Sequence, residues 1–115
     1  MPFVDAKITV PVSDQKRENI KAGLGQAISA FGKSEDWLMV GIDDDYSLWM
    51  GGQKLEYGAF VSVSLVGNAS DEGCQVFTKR LCDLLEAELG IPSNSVYVTY
   101  HSMLGSHWGW NGGTF

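Results

Sequence analysis

One plan, strand then helix then strand, is written twice along this 115-residue chain, and that duplication restricts its fold more than any other feature. In the first copy Val4, Ala6, Ile8 and Val10 alternate with Asp5, Lys7 and Thr9, the period of a half-buried strand that Pro11 should end. Ser13 and Asp14 offer helix-capping side chains. Ile20, Leu24, Ala27, Ile28 and Phe31 then share one helical stripe, which Gly32 should stop. A second strand over 37–42 puts Leu38, Val40 and Ile42 on one face. The second copy begins near Gly58, where Val61, Val63 and Leu65 alternate with Ser62 and Ser64. Gly67-Asn68 breaks that strand, and Ser70 and Asp71 supply the caps. Phe77, Leu81, Leu84, Leu85 and Leu89 make the second stripe, which Gly90 and Pro92 close. The last long strand is expected over 95–100. A short echo, Trp49-Met50-Gly51-Gly52 against Trp110-Asn111-Gly112-Gly113, places the two copies at about 2–52 and 58–113.

Two such units predict a single α/β domain over 1–115 of the two-layer (α+β) kind: a four-stranded mixed sheet with both helices on one face. The other face would carry Phe3, Phe60, Val66 and Tyr97, apolar groups that should not stay in water. A domain this small also gains by burying surface against copies of itself, so an oligomer in which sheets meet is expected.

Composition narrows the partners. The formal net charge is -6, and the eight lysines and arginines are scattered with none after Arg80. Nucleic acid and anionic membrane surfaces both need clustered cations, so neither is an expected partner. Asp5 and Lys7 interrupt any apolar leader, and no stretch approaches a membrane span, which makes the cytoplasm the expected address. Cys74 and Cys82 lack metal or redox spacing and read as packing or surface thiols. His101 and His107 have no nucleophile motif around them. Asp43-Asp44-Asp45 reads as a solvated turn rather than a calcium loop, and Gly23-x-Gly25 lies inside a helical stripe, so no metal is expected.

Three features carry chemistry. Pro2 becomes a secondary amine at the chain start if the initiator methionine is removed, a base without rotamers held by the strand that follows. An α-amine titrates near pH 7.7–8.0, and burial or a nearby cation lowers that value, leaving free base at neutral pH. Taken alone, Pro2 is more simply an ordinary second residue. Lys33, just past Gly32, is either a cation compensating a helix C-terminus or a positive anchor for a carboxylate substrate. His107, Trp108, Trp110 and Phe115 crowd a glycine-rich tail built to dock, on a neighbouring subunit or as a pocket wall.

Across nearly the whole chain the sequence resembles the macrophage migration inhibitory factor family of the tautomerase superfamily. The resemblance is carried by Met1-Pro2-Phe3-Val4, Gly32-Lys33, Trp49-Met50-Gly51-Gly52, Val66-Gly67 and Val96-Tyr97-Val98 before Tyr100. Most specific is the closing Gly109-Trp110-Asn111-Gly112-Gly113-Thr114-Phe115. It implies a homotrimer with sites at subunit boundaries, and cofactor-free keto–enol tautomerisation of phenylpyruvate-like or dopachrome-like compounds. Pro2 would be base and then acid, and Lys33 would hold the substrate carboxylate with the backbone at Val66. Tyr97 would reach in from the neighbouring subunit, near Thr99, while Trp37, Met39, Trp108, Trp110 and Phe115 would line the pocket. If Met1 is kept, the Pro2 nitrogen is an amide and cannot be a base.

The chain departs from the family pattern at Thr99, where human-type members place asparagine, and at Trp108, where they have a small aliphatic residue. The Cys-x-x-Cys of animal members is replaced by Gly58 and Val61, so thiol oxidoreductase chemistry is not implied. The alternative reading is a cytokine-like protein that binds a cell-surface receptor, secreted without a signal peptide.

Overall fold

The alternation that opens the chain is realised as a strand whose even-numbered residues are sealed from water. In the computed structural model, which describes residues 1–115, β1 (Pro2–Ile8) leads into α1 (Asp14–Ala27) and β2 (Met39–Asp43). The plan then repeats as β3 (Ala59–Val66), α2 (Asp71–Leu89) and β4 (Val96–Met103). The sheet order is β2-β1-β3-β4. Each unit contributes a parallel pair, β1 with β2 and β3 with β4, and the two units join through the antiparallel pair β1–β3. Both helices lie on one face, as the duplicated pattern predicts.

The helices start where their capping residues stand. The Ser13 hydroxyl accepts from the Lys16 amide and the Ser70 hydroxyl from the Gly73 amide, satisfying N–H groups that the first turn leaves unpaired. Gly90 closes α2 in the left-handed conformation, at φ 69°. Between the layers, Ile20, Leu24 and Ile28 meet Phe77, Leu81 and Leu85 over Val4, Ala6, Ile8, Val61, Val63 and Leu65, all of them buried. The helices approach closely because Gly23 has no side chain to strike Leu84. Gly23-x-Gly25 is thus packing, with the Glu35 side chain lying against Gly25.

Several boundaries differ from those read off the sequence. β1 ends at Ile8, not Val10, because the chain bends there and the Tyr46 amide takes the Ile8 carbonyl. The first helix turns 3₁₀ over Ile28–Phe31, which keeps Phe31 inward against Phe77 and Tyr100. Trp37 belongs to a 3₁₀ turn (Glu35–Trp37) ahead of β2. β4 begins one residue later than expected and runs three residues further, to Met103. In the acidic run, Asp44 is structural rather than merely solvated: it accepts from the Val12 amide at 2.8 Å and pairs with Arg17 at 2.9 Å.

The open sheet face is also less apolar than expected. Register places Met39, Phe3, Ser64 and His101 in one row and Gly41, Asp5, Ser62 and Thr99 in the next. A third row carries Asp43, Lys7, Phe60 and Tyr97. Lys7 bridges Asp5 and Asp43 at 3.7 and 3.6 Å. The apolar side chains therefore gather toward the two ends of the face, and its middle is polar.

Leu81, fully enclosed between the helices and the sheet, tests this core. Leu81→Ala should cost about 2–5 kcal/mol, read from urea denaturation at fixed protein concentration.

Candidate active site

Four short segments meet at the end of the sheet where β1 begins. Pro2 is buried there, opposite Leu65 in the register. The Val66 amide donates to the Met1 carbonyl at 3.2 Å, which clips the chain start onto the end of β3. Gly32, at φ 68° with open space around it, is required for its conformation. The reversal it makes carries Lys33 across the strand ends, where Nζ donates to the Val66 carbonyl at 3.1 Å. Lys33 is therefore engaged with the strand end that also holds the chain start.

A cavity of about 530 Å³ opens beside Pro2. Its floor is Met1, Pro2, Phe3 and Met39, and its walls come from Asp36, Trp37, Leu38, Trp108, Gly109 and Trp110. The tail is held in place by a hairpin. Gly109 and Trp110 pair with Thr114 and Gly113 around Asn111 and Gly112, both at positive φ, the geometry of a two-residue type I′ turn. The Phe115 amide donates to the Gly105 carbonyl at 3.1 Å, and its ring stacks on Trp110 at 6.1 Å. Trp37 meets Trp110 edge to face at 5.4 Å. A matching hairpin over 49–54 turns at Gly51 and Gly52. The tryptophan–glycine echo is thus two real hairpins, but offset by one residue, so that Met50 and not Trp49 corresponds to Trp110.

The structure brings Pro2, Trp37, Met39, Trp108 and Trp110 into one cavity, with Phe115 behind Trp110, and sets Lys33 and the Val66 backbone at the strand end beside the chain start. It does not bring Tyr97 and Thr99 to them. Tyr97 pairs with Phe60, which pairs with Lys7, placing it roughly 17 Å from Pro2 along the strands. There it lines a second apolar cleft of about 270 Å³ with Trp49, Met50 and Phe60. Thr99 sits mid-face, its hydroxyl 3.1 Å from His101 Nε2. Asp36 and Phe3 are lining residues that the sequence reading passed over. Asp36 stands next to Trp37 in a segment whose 3₁₀ turn no periodicity announces.

Two electrostatic features matter. The α-amine of the chain start is held below its ordinary value of 8.0, first by burial and then by the nearby Lys33 charge. Burial pushes both Cys74 and Cys82 thiols up, which makes them poor nucleophiles and fits a packing role. No three His, Cys, Asp or Glu side chains are grouped to hold a metal ion.

The family model described as macrophage migration inhibitory factor (MIF) matches residues 1–115. Macrophage migration inhibitory factor of Xenopus laevis is 32% identical over 90 residues, 78% of this chain and 77% of that protein. The crystal structure of Leishmania major MIF2 superposes with a TM-score of 0.91 at 33% identity, covering 100% of this chain and 97% of the other. A macrophage migration inhibitory factor structure from Toxoplasma gondii also gives 0.91, at 23% identity, over 98% of this chain and 99% of that one, and shows the same fold.

Removing the Lys33 charge tests the electrostatics of the chain start. Lys33→Met should move the α-amine pKa upward, toward its ordinary value, because the ammonium form no longer faces a like charge. The pH dependence of amine labelling reads this directly.

Proposed function

The chain belongs to the macrophage migration inhibitory factor family, and from that premise we propose that it is a cofactor-free keto–enol tautomerase of small aromatic α-keto acids. The observation that carries the reading is Pro2 itself. It is buried at the chain start beside an apolar cavity, where burial and then the Lys33 charge lower the Met1 α-amine.

Removal of Met1 makes the Pro2 nitrogen a secondary amine whose lone pair can take a proton. In the ketonisation direction the amine accepts the enol O–H proton, the enolate carbonyl re-forms, and the prolinium returns a proton to the adjacent carbon. Atoms and charge balance without a cofactor. Burial and the Lys33 charge, which lower the Met1 α-amine, would act in the same direction on a Pro2 amine in its place and favour its free base. Lys33 neutralises the substrate carboxylate. The Val66 amide, which donates to the Met1 carbonyl while methionine is present, becomes available to the substrate once methionine leaves.

Tyr97 and Thr99 enter this reading through a second copy of the chain. Their place at the far end of the sheet fits a head-to-tail trimer in which each subunit offers its Pro2 end to the Tyr97 end of the next. Trp108 narrows the cavity wall and favours flat aromatic substrates over aliphatic ones. No helix is long and apolar enough to cross a membrane.

The test is intact mass followed by phenylpyruvate enol–keto conversion on the same sample. Methionine-free protein should turn over, with kcat/KM rising as the Pro2 amine loses its proton and levelling once it is free base. Pro2→Gly should lose about a hundred-fold or more in kcat/KM. Full turnover with Met1 retained, or in the Pro2-blocked protein, would exclude this mechanism.

A further inference from the structure

The cavity is lined by groups that proton transfer does not use. Trp37, Trp108 and Trp110 wall it, and Asp36 is the one charged side chain among its lining residues. Trp37 and Trp110 stand at 89° to each other with centroids 5.4 Å apart, forming a corner of two indoles. About half of each of these two side chains is exposed.

Asp36 is unusual for what it lacks. The chain makes six ion pairs and none involves Asp36. Lys33, three residues earlier, is engaged with the Val66 carbonyl instead. The adjacent Glu35 lies against Gly25 of α1, away from the cavity, so the two carboxylates of this turn serve different surroundings. An unpaired carboxylate beside perpendicular electron-rich ring faces is the chemistry that receives an organic cation. The same carboxylate repels a second anion, and the chain's net charge of -6 adds to both tendencies.

We propose that Trp37, Trp108, Trp110 and Asp36 form a cage for a substituted ammonium group. The ligand is then an aromatic carboxylate with a distal cation, its carboxylate toward Lys33 and its cation in the indole corner. This deepens the tautomerase reading by naming the substrate class, and it rests on that reading only for where the carboxylate lies. The cavity, at about 530 Å³, has room for one such molecule.

The probes are three 3-phenylpropanoates bearing hydrogen, trimethylammonium or carboxylate at the para position, titrated into the methionine-free full chain by calorimetry. None has an enolisable ketone, so the readout is independent of turnover, and failure of the catalytic reading leaves it intact. The para-cation should bind about ten-fold tighter than the unsubstituted acid, and the para-carboxylate about ten-fold weaker. Asp36→Asn, at an exposed and unpaired site, should shrink the cation-to-anion ratio about ten-fold, and Trp110→Leu should cut the advantage of the cation over the neutral acid. Affinities within two-fold of one another in the unaltered protein would overturn the cage. So would a charge preference that survives both substitutions.

Discussion

Everything in this molecule is arranged around the antiparallel pairing of β1 with β3. It is the seam between the two copies of the strand-helix-strand plan, and Asp5 opposite Ser62 lies near its middle. On one side of the seam Val4, Ala6, Val61 and Val63 are buried beneath the helices. A slip of β3 by one residue would turn Val61 and Val63 to the open face and bring Ser62 into the core, so burial pins the register. Antiparallel pairing also sends the equivalent ends of the two copies in opposite directions. Pro2 and Phe3 come to one end of the sheet, and their counterparts Ala59 and Phe60 to the other. The chain thus has two related apolar clefts, and only the one at the chain start is lined by Pro2.

That asymmetry shows which parts of the design were open to sequence reading. Strands and helices were legible because their periods of about two and 3.6 residues follow from burial on one face. Ser13, Ser70 and Gly90 were legible because unpaired helix-end groups demand specific chemistry. The 3₁₀ turn at Glu35–Trp37 was not. It has no period of its own, and the alternation of Leu38, Val40 and Ile42 extends backward without contradiction to Trp37. The polarity of the open face was misjudged because Phe3, Phe60, Val66 and Tyr97 were read without their cross-strand neighbours. Register sets those four near the two ends, with Asp5, Ser62 and Thr99 between them.

The candidate site was legible as a set of residue types and not as a geometry. Pro2 and Lys33 can each be explained singly by something bland, an ordinary second residue and a cation at a helix end. Folding removes much of that ambiguity for Lys33, whose ammonium is bonded to the Val66 carbonyl at 3.1 Å rather than to any helix carbonyl. The tail gains meaning in the same way. Its glycines and asparagine are there because a two-residue turn at positive φ is what brings Trp110 back against Trp37, and Phe115 then braces Trp110 from behind.

The chain start carries a further consequence of this geometry. Met1 does two things while it remains: it makes the Pro2 nitrogen an amide, and its carbonyl occupies the Val66 amide at 3.2 Å. Its removal therefore changes two parts of the site in one step. A base appears, and a backbone donor held by the sheet is released beside the Lys33 ammonium, which stays near the Val66 carbonyl. Under the proposed function a substrate carboxylate would meet there a cation and an N–H already oriented by β3, with little reorganisation needed to bind it. Pro2, for its part, has no side-chain torsion to freeze, because its ring and the first residues of β1 hold the nitrogen in place. Pro2 and Lys33, the base and anchor of the proposed function, are in this way held at the same strand end.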